Sequence, residues 1–255
     1  VTESGQGKGN KVQNGRNVDD VNGHGTHVFS IMASAEVSES GFFEGVAPNV
    51  NVVTVKAFND NGEASYADVI DAVNWVVTNK DTFEIRILNL SMSAPVRSHY
   101  WDDPLNQAVM AAWQAGIAVV VSAGNAGPDP MTIGVPGNVP YVITVGAMTD
   151  NHTPADTSDD RLARFSSAGP THEGFVKPEI LAPGGHLRGF MDPDAKLARL
   201  YPQYQDGDLA HYNMSGTSQS AAVISGVAVL MLQVDPSLSP DDLKCRLIDS
   251  GRLAM

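Results

Sequence analysis

Residues 117–122, Ile-Ala-Val-Val-Val-Ser, are apolar almost without interruption. A strand with one wet face alternates apolar and polar residues, so an unbroken run belongs to a strand covered on both faces, as in a parallel sheet between helices. The neighbouring sequence agrees. Residues 50–58 are rich in β-branched side chains and stop at Asn59-Asp60-Asn61-Gly62, the pattern of a strand closed by a turn. Residues 85–90 and 141–145 supply two more short strands, and 177–184 another among loops. Between them, Val69, Ile70, Val73, Val76 and Val77 recur at the spacing of one helical face, and residues 104–115 form a second helix. This alternation predicts an α/β fold: a three-layer, doubly wound, mainly parallel sheet with helices on both faces, forming one domain over residues 1–255. Sites in such sheets lie in loops beyond the carboxyl ends of the strands.

Composition narrows the function classes. A formal charge of −13 argues against nucleic acid, whose phosphates need clustered Lys and Arg. No apolar run reaches the roughly 20 residues that span a bilayer, so no membrane span is expected. One cysteine, Cys245, excludes an internal disulfide; it falls in a helical segment, residues 241–248, where a packed thiol is expected. Residues 1–23 are polar and glycine-rich, a surface loop. Residues 149–212 are rich in Asp, Pro and Gly, and 188–209 read as an excursion on the surface.

Three segments carry chemistry. Ser218 stands in Ser215-Gly216-Thr217-Ser218, a glycine-bearing turn that runs into an almost wholly apolar helix over residues 221–232. Unpaired N–H groups in a helix's first turn offer donors to a developing oxyanion, which suits a nucleophile there; Thr217 or Ser218 acting merely as a helix cap accounts for the same residues. His24 lies between Gly23 and Gly25 at the start of a helix, open to approach as a general base needs, while His27, one turn further on, is read as packed and structural. Asn125 follows the 117–122 strand in Ser122-Ala123-Gly124-Asn125, where its amide can serve an oxyanion or simply make a turn.

Together the segments resemble the subtilisin-like serine proteases, or subtilases. His24-Gly25-Thr26-His27 matches the family's histidine motif, Ser122-Ala123-Gly124-Asn125 its oxyanion-asparagine motif, and Ser215-Gly216-Thr217-Ser218 its nucleophile motif, in the family's order. The likeness extends through Asn89-Leu90-Ser91-Met92-Ser93, Val135-Pro136-Gly137, Phe165-Ser166-Ser167-Ala168-Gly169-Pro170 and Leu181-Ala182-Pro183-Gly184, covering roughly residues 22–250. It implies a secreted endopeptidase acting through an acyl-enzyme on Ser218, with His24 as base and Asn125 plus the Ser218 N–H at the oxyanion. It further implies that substrate is held by Ser91, Ser93, Ala94 and Pro95 and by Ser122, Ala123 and Gly124, pairing like added strands, with Gly134 near the base of the P1 pocket. Ser93-Ala94 stands where many relatives have Gly-Gly, which narrows the cleft. Gln219-Ser220 replaces the frequent Met-Ala, removing an oxidisable thioether beside Ser218 and predicting resistance to peroxide.

The resemblance implies no cofactor for the chemistry. It admits structural calcium, to which Asp156–Asp160 and Asp192–Asp194 are the acidic stretches available, without a recognisable ligand spacing; protein or peptide substrates and a propeptide are the partners it implies. The family's orienting Asp ends an apolar strand in Asp-(Ser/Thr)-Gly well before the histidine. Residues 1–23 hold no such motif, and Asp19 and Asp20 are the sole acidic candidates close by. The expectation is a domain incomplete at its N-terminus and at its C-terminus, with that Asp outside these 255 residues. The competing reading is a non-catalytic peptide-binding or structural domain without the triad carboxylate.

Overall fold

The computed structural model describes residues 19–153, 156–207 and 210–252; most of the loop read over residues 1–23 lies outside them. Strands β1 (Ile87–Leu90), β2 (Ala118–Ser122) and β3 (Ile143–Thr149) run parallel side by side. Next to β3, β5 (Ile180–Pro183) is parallel, and the two-residue β4 (Arg161–Leu162) antiparallel. Every residue of β2 is buried, as an uninterrupted apolar run requires. Its register sets Asn89 opposite Val120 and Ser122 opposite Val145, so the chain leaves β1 and β2 at one end of the sheet, and Ser91 and Ala123 emerge there together.

Local sequence starts each helix. α2 (Tyr66–Phe83) opens at Ser65, which exchanges hydrogen bonds with Asp68 in a capping box, and buries Val69, Val73 and Val76 on one stripe. α3 (Pro104–Gln114) opens at Asp103, whose carboxylate accepts from the Leu105 and Asn106 N–H groups, with Pro104 at the first helical position. These two helices pack together against one face of the sheet. α5 (Thr217–Val234) crosses the other face against β1, β2, β3 and β5. α1 (His24–Ala33) and α6 (Pro240–Ser250) rest on α5. α5 has the length and apolarity of a membrane-crossing helix, but more than half of it is buried inside the protein, which makes it a core helix.

Three expectations need correction. Residues 50–58 form no ladder among the described residues; only Thr54 joins a bridge, and the half-buried β1 pairs only with β2 there. β-branched composition favours extended backbone, yet a strand also needs a partner. Residues 188–209 are not a loose excursion. β6 (Leu187–Phe190) and β7 (His211–Met214) form an antiparallel ribbon, α4 (Lys196–Leu200) follows β6, and Met191, Ala195, Ala198 and Tyr212 make a small core of their own. Cys245 is exposed: Leu243 and Leu247 take the buried stripe of α6, and Cys245 falls on the opposite side.

Candidate active site

Ser218 is the second residue of α5 and is buried to 9% exposure. The turn before it is pinned to the sheet: the Gly216 N–H donates to the Gly184 carbonyl at 2.8 Å, and Ser220 Oγ donates to the Ala182 carbonyl at 3.1 Å. Ser218 Oγ donates to the Ser91 carbonyl at 3.3 Å, and Ser91 Oγ returns a bond to the Ser218 carbonyl at 3.0 Å. The loop after β1 thus cradles the serine in the resting state.

Asn125 leaves β2 toward the same point. Its Oδ1 accepts from both the Thr217 N–H and Thr217 Oγ1 at 3.0 Å, while Thr217 Oγ1 accepts from the Gly124 N–H at 3.2 Å. With its oxygen anchored twice, the amide has one orientation, and its Nδ2 is turned toward the serine turn, 3.4 Å from where a Cβ on Gly216 would stand. Sequence reasoning treated Thr217 only as a helix cap. Its position between an oxyanion-type asparagine and a nucleophile-type serine was the available signal.

The imidazole comes from a different construction. Asp20 Oδ1 accepts from the Gly23 N–H at 2.9 Å, and Asp20 Oδ2 accepts from the Thr26 N–H at 2.6 Å and Thr26 Oγ1 at 2.8 Å. Asp20 therefore caps the first turn of α1, and among the described residues no carboxylate is hydrogen-bonded to the His24 ring. Gly23, at φ 96°, fits where a Cβ would meet Met191 Cγ at 2.8 Å, so the ribbon region behind it fixes where α1 begins. The Lys196 and Leu197 N–H groups donate to the Val21 and Asn22 carbonyls, closing the same junction. Burial lowers the His24 pKa below the ordinary histidine value, and the nearby Asp20 charge partly restores it. The ring is accordingly neutral near pH 7, the state a base requires.

His27 is fully buried. Its Nε2 donates to the Tyr212 carbonyl at 2.9 Å, which leaves Nδ1 to accept from Gln219 Nε2 at 3.4 Å. Burial pushes its pKa down to about 4. The residue that follows the serine thus ties α5 to α1 through a neutral imidazole.

Of the residues read as substrate-binding, Ser93, Gly124 and Gly134 converge: a Cβ on Gly124 (φ 105°) would lie 3.0 Å from Ser93 Oγ, and one on Gly134 would overlap Ser93 Oγ. Pro95 stands exposed beyond them. Ser122 Oγ donates to the Met92 carbonyl at 3.0 Å. The added-strand expectation narrows, because most of these main-chain groups already have partners. Ala94 exchanges both of its bonds with Val135, the Ala123 N–H donates to Val145, and the Gly124 carbonyl accepts from Ser167. The Ser93 backbone groups have no hydrogen bond among the described residues. Beside them opens an apolar cavity of about 290 Å³ between Tyr66, Val69, Met92, Ala94 and Leu105. Of those, Val69 belongs to the apolar stripe and Leu105 to the helix that the sequence predicts, with no sign there of a cavity.

The acidic stretches serve turns. Asp156 accepts from the Ser158 N–H and hydroxyl, Asp159 from Asn151 and Thr153, Asp160 pairs with Arg252, and Asp192 accepts from the Asp194 N–H. The group of described residues with metal-ligand spacing lies elsewhere, at Glu36, Glu44 and His211, and there Arg188 is already paired with Glu44.

A mainly parallel sheet with a serine at the mouth of its buried central helix, an asparagine amide beside it and an imidazole on the adjoining helix defines an α/β protein of the subtilisin-like fold. The chain belongs to the subtilase family, whose profile matches residues 2–252. It is 43% identical over 237 residues to the serine protease AprX of Bacillus subtilis (strain 168), covering 91% of this chain and 53% of AprX. It is 31% identical to subtilisin DY of Bacillus licheniformis, covering 89% and 70%. Among solved structures, Sphericase superposes with a TM-score of 0.73 at 26% identity, covering 95% of this chain and 73% of Sphericase. The chain thus spans about half the length of AprX.

Proposed function

We propose that the protein is a serine endopeptidase. Ser218 Oγ attacks the scissile carbonyl as His24 takes its proton. The negative charge that forms on the carbonyl oxygen is held by Asn125 Nδ2 and the Ser218 N–H, and the protonated imidazole returns its proton to the departing amine. Water, activated by the same imidazole, then releases the acyl group and restores Ser218. The steps use side chains and backbone donors of the chain alone. The Ser218 hydroxyl donates to the Ser91 carbonyl and must leave it before giving its proton to His24.

The observation that carries this reading is the doubly anchored Asn125. A turn asparagine has no use for two bonds fixing its oxygen on the residue before a buried serine, whereas an oxyanion donor must be oriented before the charge arrives. The proposal includes an extracellular site of action, tested by recovering the protein from the medium and not the cells of its host.

A fluorophosphonate probe tests the chemistry. Wild-type protein is expected to be labelled on Ser218 and to cleave an internally quenched peptide, and S218A to do neither. Absence of labelling in protein shown to be folded by circular dichroism would replace the protease with a non-catalytic peptide-binding domain.

A further inference from the structure

Beside the turn that leads to Ser218, and sharing no lining residue with the cavity at Ser93, lies a second cavity of about 380 Å³, lined by residues that include Asn151, His152, Arg161, Arg164, His186 and Ser215. Among the described residues, no carboxylate lines it. Arg161 Nη2 donates to Asn151 Oδ1 at 2.7 Å, and neither Arg161 nor Arg164 has an ion-pair partner among the described residues. The His152 and His186 rings lie 4.5 Å apart. Arg161 and Arg164 give the lining two positive charges, in a chain whose formal net charge is −13. Two acidic groups adjoin the lining and are already engaged there: Asp150 accepts from the His152 N–H, and Asp159 from Asn151 Nδ2 and Thr153 Oγ1.

The backbone is bent to build this lining. Asn151, His152 and His186 sit at φ 52°, 66° and 54°, a region that costs free energy for residues with a Cβ and is concentrated at functional sites. The cavity also joins the loops that carry the chemistry. The His186 N–H donates to Ser215 Oγ at 2.9 Å, in the turn that ends at Ser218. The carbonyl of Phe165, another lining residue, accepts from the Gly127 N–H in the loop of Asn125.

From this placement we propose that the cavity is a specificity site for an acidic side chain of the substrate, on the leaving-group side of the scissile bond. The inference rests on the protease reading. A peptide lying across Ser218 has its acyl part on the flank of Ser93, whose main-chain groups have no hydrogen bond among the described residues, so the residues after the scissile bond run toward the cationic cavity. Arg161 and Arg164 present forked donors that match a carboxylate, and neither must give up an existing ion pair to bind one. Because both guanidinium groups are exposed, solvent screening keeps the preference modest.

The test uses three peptides that differ only in the residues after the scissile bond: Asp-Glu, Ser-Ser or Lys-Lys. Binding to S218A by fluorescence anisotropy and kcat/KM on the wild type are measured for each. Asp-Glu is expected to exceed Ser-Ser by about fivefold in both readouts, with Lys-Lys below both, and high salt should compress the differences. The exposed double substitution R161Q/R164Q should bring the three peptides to parity while leaving kcat on Ser-Ser unchanged, and Arg164→Glu should reverse the order. Equal binding of the three peptides to S218A, or a preference that survives R161Q/R164Q, overturns the inference with the protease reading intact. Charge-dependent binding to S218A beside a wild type that neither cleaves nor takes the fluorophosphonate would instead sink the protease reading and keep an acidic-peptide site.

Discussion

Ser218 begins a helix that packs on four strands of the central sheet, whereas His24 begins one that packs on that helix and on the β6–β7 ribbon. On the serine side the turn, the asparagine and the threonine between them are locked by hydrogen bonds that end in the loop after β2, in β5 and in the loop after β5. On the imidazole side the position of the ring follows from a capping aspartate, a glycine in the left-handed region and a small core around Met191. The difference separates two tasks. Charge stabilisation requires donors that do not move when charge develops, and the sheet supplies that rigidity. In the proposed mechanism, proton transfer requires reach and the right protonation state, which suit a partly buried ring on a lighter support.

The sharpest way to break this comparison is at Asn125. Asn125→Ala removes the oriented donor and leaves the base in place; kcat should fall about 10²–10³-fold with little change in KM, the size known for the corresponding donor in a subtilisin. A loss carried mainly by KM would place Asn125 in substrate binding. Next comes the acid response of the imidazole side. His27 has a folded pKa of about 4, below its unfolded value, so in that window the unfolded chain binds a proton that the folded protein refuses. Its contribution is fully present above about pH 6.5 and is lost as the pH falls toward 4, a change of about 3 kcal/mol. Denaturant melts at pH 7, 5.5 and 4.5 should show this slope, and His27→Gln should flatten it.

Thr217→Val keeps the shape of the threonine and deletes the hydroxyl that bonds Asn125 Oδ1 and accepts from Gly124. Single-turnover acylation should slow about tenfold, since one of two anchors on the asparagine remains. The smallest effect is expected at Asp20. Asp20→Asn weakens the α1 cap by about 1 kcal/mol in denaturant melts. It should also shift the acid limb of kcat/KM to lower pH, because the Asp20 charge holds the His24 pKa up against burial. A fall in kcat near the 10⁴-fold known for loss of a triad aspartate would show that Asp20 orients the ring and is not simply a cap.

How far the sequence discloses this asymmetry depends on what each half is made of. The serine half is written in long, periodic elements. The apolar run of β2, the stripe of α2 and the apolar body of α5 announce themselves, and the loops that leave them carry Asn125 and Ser218. The imidazole half depends on short pieces. β6 and β7 have four residues each, and Met191, Ala195 and Ala198 are too few to produce a period, so their support of Gly23 is invisible until the chain is folded. Residues 50–58 show the converse: composition signals extended backbone, but a ladder is a property of two segments. Cys245 was misplaced because one helical stripe had to be chosen without knowing which side met the sheet. The bonds of Thr217 were hidden for another reason, since a hydroxyl at a helix start has several uses and only its neighbours in space select one.

The proposed nucleophile and the core share α5, which bears on how the molecule ages under heat. Many enzymes lose function through a loop that loosens well before the body melts. Here the serine turn is tied to the Gly184 and Ala182 carbonyls, and the helix behind it fills the interior, so there is no soft joint on that side at which the chemistry can come apart first. Gradual heating should therefore leave fluorophosphonate reactivity of Ser218 intact until the sheet itself gives way, with any earlier decline arising from drift of the lighter imidazole support.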